Sequence, residues 1–398
     1  MSDSAHHDTS AAGPLGGVRV IELTTMITGP LAGMMLGDWG ADVVKVENPS
    51  GGDPFRSFRD GMYSPHFCAY NRNKRSVVLD LQSGEGHAAL SELLRTADVL
   101  LDNYRPGVMQ RLGLDDQTLA TLNPRLVRCS ITGFGPQGPY AERPAYDAIT
   151  QAVSGMSSLF VQPDDPRLTG PTISDNVTGQ YACQGILAAL FEREKTGRGR
   201  RIDVNMLEAT LAFMPDPFAY YTQMGLVSDP YLRVHTSQSF AFTCRDGKLL
   251  AVHLSSQAKF WEAFVQAIGC PELLGDERVA TRAQRIANYE FLRGYAAKFI
   301  GMRPRQHWID VFVNADVPCA PIYSATEVFT DPQVQHLDSF MTLNHPRMGD
   351  VVSIRRPVYL DGSRREQPQR PPPLLGEHTA EVLAEVGITF PENNKEQV

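Results

Sequence analysis

The chain has 398 residues, with 42% hydrophobic and 21% charged residues and a formal net charge of −8. That is the composition of an ordinary water-soluble globular protein, long enough for two domains or for one large domain carrying an insertion. It excludes an extended basic surface for nucleic acid. The densest cationic run, Lys195 to Arg201, is short and sits where a helix ends and a strand begins, so it complements the carboxyl end of the helix dipole.

Met1 to Gly13 is small and polar without an apolar core, so it does not read as a signal peptide. Its His6–His7 pair is too short for a metal tract. No run approaches the ~18 apolar residues of a membrane span. Six scattered cysteines form no CxxC pair, and no His pair has metal spacing. Buried free thiols, a reducing cytoplasmic setting and no bound metal are expected.

In chain order, strand and helix signals then alternate. Val18–Leu23 is an apolar run, and Gly29–Trp39 is helical with Pro30 in its first turn. Ala41–Glu47 and Ser76–Leu81 read as strands, followed by a helix over 83–96. Asp98–Asn103 and Leu126–Thr132 read as further strands. This alternation predicts an α/β fold with a mostly parallel sheet covered on both faces. The loops starting at Leu23, Glu47, Asn103 and Thr132 then border the ligand site, because open sheets bind beyond the carboxyl ends of their strands. The turn after the first strand has no G-x-G-x-x-G. Gly133 to Gly138 matches that spacing, but Pro136 and Pro139 break the helix that should follow, which predicts a turn-rich loop.

The segment Gly170–Gly179 places Asp175 at the mouth of a long helix, with Ser174 or Asp175 as N-cap. Tyr181, Ile186, Leu187, Ala188, Leu190 and Phe191 are its expected apolar stripe. The helix dipole is expected to hold the Asp175 carboxylate ionised. Pro215, Pro217, Gly225 and Pro230 punctuate a linker. A smaller unit follows, with a hairpin over 240–254 and helices over 257–268, 288–300 and 303–314. A strand over 348–354, a polyproline-like strut over 368–373 and a helix over 377–386 close the chain. The division expected is 1–210 for the first part of a large domain, 211–232 for the linker, 233–323 for the small domain and 324–398 for a return to the large one.

Several blocks taken together resemble the class III CoA-transferases of the CaiB/BaiF type, whose relatives include formyl-CoA transferases and α-methylacyl-CoA racemases. They are Pro14–Leu23, Leu36–Glu47, Gly52–Pro54, Asn73–Ser76, Ala97–Gly107, Gly133–Asp147, the Asp175 segment and Lys195–Gly199. The resemblance implies a large Rossmann-like domain built from both chain ends, a smaller α+β domain and an interlocked homodimer. It implies a coenzyme A thioester as substrate, a carboxylic acid as acceptor and no permanently bound cofactor. Asp175 falls on the family's nucleophilic aspartate. Ile27, Thr28, Leu79, Asn103, Tyr104, Arg111 and Met206 fall on coenzyme A contacts, with Arg111 suited to a phosphate and Tyr104 to the adenine. Backbone N–H groups at Gly133, Gly135 and the Asn176 turn are candidate oxyanion donors, and Tyr146 is a candidate substrate contact through its hydroxyl or else an ordinary buried tyrosine.

Formyl-CoA transferases carry glutamine at the position of Ile27 and arginine at that of Asn48, so formyl transfer is not expected and the acyl pocket is less polar. The alternative is a racemase acting at the α-carbon. Racemases have histidine where Tyr146 stands, and a tyrosine of ordinary pKa near ~10 is a poor base at neutral pH, which favours the transferase. Asp147 is read as a helix cap or a substrate contact.

Overall fold

The computed structural model describes residues 13–59, 61, 63–162, 164–254, 257–364 and 369–389. The His6–His7 pair and Pro368 of the expected strut lie outside them. The chain divides into two compact units: residues 1–157 with 170–215 and 339–398, and residues 158–169 with 216–338. The second unit is wider than the stretch 233–323 that the sequence marks out.

The first unit is built on a six-stranded parallel sheet of order β3-β2-β1-β4-β5-β6. The strands are β1 Arg19–Leu23, β2 Asp42–Glu47, β3 Lys74–Val78, β4 Val99–Asp102, β5 Val127–Thr132 and β6 Arg201–Asn205. This is the Rossmann-like sheet expected, and its strand order reverses between β1 and β4, where a crevice opens beyond the carboxyl ends. Helix α1 (Thr28–Asp38) follows β1, α2 (Pro65–Tyr70) precedes β3, and α3 (Gly84–Thr96) leads to β4. Then come α4 (Val108–Arg111), α5 (Asp116–Leu122), α6 (Asp147–Val153), α7 (Ile173–Thr196) and α8 (Met206–Phe213).

Alternate residues of each strand feed two cores. Ile21, Val44, Val77 and Leu100 pack with Leu90, Leu93 and Leu94 of α3 and with Val382 and Leu383 of the C-terminal helix Thr379–Glu385. Val20, Val43, Leu101, Val127 and Ile131 pack with Ala32 and Leu36 of α1 and with Ala182, Cys183 and Ile186 of α7.

Charged residues inside apolar strands form a third, ionic core. Glu22 of β1, Lys45 of β2, Lys74 of β3 and Asp53 are all buried. The Lys45 ammonium lies 3.1 Å from Glu22 and 3.0 Å from Asp53 and donates to the Thr24 carbonyl at 2.7 Å. Lys74 lies 2.9 Å from Glu22 and donates to the Pro30 carbonyl at 2.8 Å. Beside them Glu47 accepts two bonds from Arg56 and one from Ser76. Burial would lower the Lys45 pKa, but Asp53, Glu22 and Glu47 outweigh it and hold it above its ordinary range. Burial dominates at Lys74 and pushes it down to about 8 despite Glu22.

The main stretch of the second unit opens with α9 (Pro215–Met224), from its second residue onward, and α10 (Leu232–Thr236), so the expected linker is largely helical. The antiparallel strands β7 (Ser239–Thr243) and β8 (Leu249–His253) form the expected hairpin. Helices α11 (Ala258–Ala267), α12 (Arg282–Ala287), α13 (Tyr289–Ile300) and α14 (Arg305–Asn314) cover it, and β9 (Cys319–Ile322) pairs with β8. Phe240, Phe242, Leu250, Trp261, Phe264 and Phe312 fill this core. All six cysteines are free thiols, five of them buried. No helix of the described residues is long and apolar enough to cross a membrane.

Removing Glu22 leaves the buried Lys74 ammonium without its paired carboxylate and Lys45 with Asp53 alone. Glu22→Ala is therefore expected to cost about 3–5 kcal/mol of folding stability, read as a lower urea midpoint in equilibrium unfolding.

Candidate active site

The turn after β1 is clamped from three sides. Asn103, just beyond β4, accepts the Thr25 N–H at 3.0 Å and donates to the Thr25 carbonyl at 2.8 Å and to the Thr28 hydroxyl at 3.2 Å. Asp53 accepts the N–H groups of Met26 at 3.2 Å and Phe55 at 2.9 Å. Lys45 holds the Thr24 carbonyl. Met26 sits in the left-handed region at φ 68°, a conformation that a non-glycine residue keeps only when its surroundings fix it. Ile27 is thereby turned into an apolar cluster with Phe55 and Phe67, against which Met26, Tyr63 and Tyr70 pack.

Asp175 stands one helical turn from the place where α7 meets α1. A Cβ on Gly179 would lie 2.6 Å from the Thr28 carbonyl oxygen and 3.0 Å from Leu31, so glycine is required for the approach. The helix begins earlier than expected. Thr172 is the N-cap and makes no side-chain cap bond, while Ser174 and Asp175 lie inside the first turn. The buried stripe is also different: Val177, Ala182, Cys183, Ile186, Ala189 and Leu190 face inward, whereas Tyr181, Ala188 and Phe191 are exposed. Small residues line the inner face because α1 lies so close.

The orphan N–H of Asp175 is held from another helix. Asp147 at the start of α6 accepts it at 3.2 Å, and its second oxygen accepts from Gln151 at 2.6 Å. Among the described residues the Asp175 carboxylate accepts no hydrogen bond. Burial, reinforced by the negative charge of Asp147, pushes its pKa from 3.8 up to about 7. The expectation that the carboxylate stays ionised is not met below about pH 7, because desolvation and the like charge of Asp147 favour its protonated form.

Other expected site residues are linked to this turn. Ser174 bonds Thr210 of α8 at 2.6 Å, Thr210 bonds the Met206 carbonyl at 2.6 Å, and the Leu207 N–H donates to the Gly133 carbonyl at 3.1 Å. Gly133, Met206 and Asp175 are therefore connected, and Met206 is buried. The Asn176 amide reaches the Tyr70 hydroxyl at 3.5 Å, which joins α7 to the Ile27 cluster. Two oxyanion candidates are already engaged: the Gly135 N–H donates to Thr132 Oγ at 3.0 Å, and the Asn176 N–H to the Thr172 carbonyl at 3.4 Å. At Gly133 a Cβ would strike Ala145, which explains that glycine by packing.

Three expectations separate from the cluster. The Leu79 side chain is core, packed with Val77 and Leu90, and its N–H donates to the Glu47 carbonyl at 2.9 Å. Arg111 is exposed at the end of α4. Tyr146 is 66% exposed, not the buried tyrosine that a purely packing role would require. Tyr104 borders a polar cleft of about 370 Å³ beyond β4, β5 and β6, lined also by Asp102, Gln110, Ser130, Arg201 and Asp203. Burial pushes Asp102 up to about 6. Sequence reasoning missed Gln151 and the ionic core. Their signals were present as an Asp–Gln pair at i,i+4 and as charges inside apolar strands.

A parallel sheet with a clamped turn at its switch point and a part-buried carboxylate beside it defines a candidate site of the open α/β class. The profile of CoA-transferase family III matches residues 15–379, and the chain belongs to that family. It is 36% identical to the succinate–glutarate CoA-transferase of Agrobacterium fabrum, over 94% of this chain and 96% of that one. It is 35% identical to the acetyl-CoA:oxalate CoA-transferase of Acetobacter aceti, again over 94% and 96%. A CAIB/BAIF family protein from Brucella suis superposes with a TM-score of 0.84 at 31% identity, covering 94% of this chain and all of that one. The chain is a family III CoA-transferase, and the racemase alternative is not favoured.

The raised Asp175 pKa has a stability consequence of definite sign. The folded state holds this proton more tightly than the unfolded chain does, so ionisation costs stability as pH rises from about 4 through about 7. Asp175→Asn removes that cost. Relative to the parent, the variant should gain on the order of 1–3 kcal/mol between pH 5 and pH 8, checked by denaturant unfolding at both values.

Proposed function

We propose that the protein moves coenzyme A from an acyl-CoA thioester to a free carboxylic acid through covalent intermediates on Asp175. The observation that carries this reading is the Asp175 carboxylate itself, part-buried and free of hydrogen bonds, beside the turn of Ile27 and Thr28. A partly desolvated carboxylate that no side-chain or backbone donor holds is a stronger nucleophile than one shared with donors.

The ionised Asp175 attacks the thioester carbonyl. The C–S bond breaks, coenzyme A leaves as thiolate, and a mixed anhydride remains. The thiolate attacks the aspartyl carbonyl of that anhydride and releases the donor acid as carboxylate, leaving an aspartyl-CoA thioester. The acceptor carboxylate attacks this thioester, forming a second anhydride and the thiolate again. Attack of the thiolate on the acceptor's acyl carbon gives the new acyl-CoA and restores the Asp175 carboxylate. Each anhydride must meet no water, which the apolar Ile27–Phe55–Phe67 cluster favours.

Thr28, Asn103 and Tyr104 at the switch point are the residues we assign to coenzyme A; Arg111 suits a phosphate at the rim. The relatives above are named for short dicarboxylates and oxalate. With Ile27 in an apolar cluster, we assign this chain acids whose carbon chain contacts that wall, C4 and C5 dicarboxylates among them. We also assign an interlocked homodimer: Tyr146, Phe191 and Phe213 stand more than half exposed on α6, α7 and α8, an apolar surface of the kind that partners cover.

Three outcomes test this. Asp175→Ala should lower CoA exchange by about a thousandfold or more and abolish the hydroxylamine-sensitive acyl adduct, read by mass spectrometry. In the parent enzyme, kcat/KM for the acyl-CoA should rise with pH through about 7 and level off above it, since the nucleophile acts ionised. Light scattering on the purified chain should give a dimer; a stable, active monomer would refute the interlocked assembly.

A further inference from the structure

The turn that carries Asp175 is not held by its own cap. Thr172, the N-cap of α7, spends its hydroxyl and carbonyl on the Asn176 amide, at 3.1 and 2.6 Å, and makes no cap bond to a backbone N–H. The cap is instead the Asp147 carboxylate, brought from α6 across the intervening chain. A carboxylate so close to Asp175 has to be fixed on the N–H side, or the two negative groups would turn apart. The side chain that fixes it is Gln151, one turn further along α6 and buried. Its amide NH2 has two donor hydrogens and both are used: one goes to Asp147 at 2.6 Å, the other to the Pro171 carbonyl at 3.1 Å. The same Pro171 carbonyl accepts the Ile173 N–H at 2.9 Å, so it marks the point where the chain turns into α7.

We propose that Gln151 is a positioning residue for the nucleophile: a single amide clasps the entry of α7 to Asp147, and so fixes where Asp175 sits and which charge it faces. This rests on the reading of Asp175 as the nucleophile. Gln151 touches no reacting atom and acts through Asp147. The groups around the turn leave Asp147 as the charged one whose field reaches Asp175. Helix α1 presents the Thr28 carbonyl and Leu31, α8 presents Thr210, and α2 presents the Tyr70 hydroxyl to Asn176. Orientation of Asp147 therefore sets both the direction of the nucleophile and the pH at which it becomes active.

The test uses the full-length enzyme and follows thiol release from an acyl-CoA between pH 5 and pH 9, with hydroxylamine trapping at Asp175 as the control. Gln151→Ala should lower kcat about tenfold while KM changes less than about threefold, because a loosened carboxylate is misplaced rather than the coenzyme lost. Asp147→Asn should move the ascending limb down by about one unit. Gln151→Glu, equal in size but without the two donors, should move it up. The double variant D147N/Q151A should match D147N within about twofold, as expected of a residue that acts through its neighbour. Unchanged limbs with only a lowered Tm, or a Q151A effect that multiplies with that of D147N, would overturn the proposal and leave Gln151 as ordinary packing. Failure to trap any adduct on the parent Asp175 would remove the nucleophile reading and the clasp with it.

Discussion

The rest of the site depends on the burial of Glu22, Lys45, Lys74 and Asp53 as one charge-balanced knot beneath the first three strands. An ionic cluster in this position gains little net stability over an apolar core, because desolvation consumes most of the Coulomb attraction. What it provides is direction. Lys45 and Lys74 end on the carbonyls of Thr24 and Pro30, and Asp53 receives the Met26 N–H, so both ends of the turn after β1 are tied to charges that cannot move. An apolar core could fill the same volume but could not hold Met26 in the left-handed region or choose which way Ile27 and Thr28 face.

The second support is the closeness of α1 and α7. Gly179 allows α7 to rest on the Thr28 carbonyl, and Ala182, Cys183 and Ile186 continue the contact toward the sheet. The clamped turn and Asp175 are thus held by one helix pair. At this junction the chain accepts an unfavourable arrangement: two carboxyl groups near one helix start, one of them without a donor. The cost appears in the raised pKa of Asp175, and an acyl-transfer enzyme has a use for such a carboxylate, held near the neutral range where it can switch between silent and reactive forms.

The racemase alternative is disfavoured by a different kind of observation. By the resemblance, Tyr146 stands where the racemases carry their histidine, and it is the N-cap residue of α6. The adjacent Asp147, read from the sequence as a helix cap or a substrate contact, makes no cap for its own helix. It caps α7 instead, and so becomes part of the environment of Asp175.

By itself the sequence determined the alternating strands and helices, the sheet edge where the site lies, the free thiols and the hairpin of the second unit. These follow from local periodicity and from residues that punctuate it, such as Pro30, Pro136 and Pro139. It also pointed to Asp175 through its place in a familiar block. Only the tertiary structure decided that Asp175 lies inside the first turn rather than at the cap, that Tyr181 and Phe191 face outward, that the Gly135 and Asn176 N–H groups are spent, and that Leu79 belongs to the core. The Gly135 and Asn176 N–H groups are spent locally on Thr132 and Thr172, whereas the decisive partners lie far away in the chain: Asp147 for the cap, Thr28 for Gly179 and the Glu22 knot for the turn at Met26. Local propensity carries no information about such partners, because the energy of a buried contact is decided by what arrives on the other side of it.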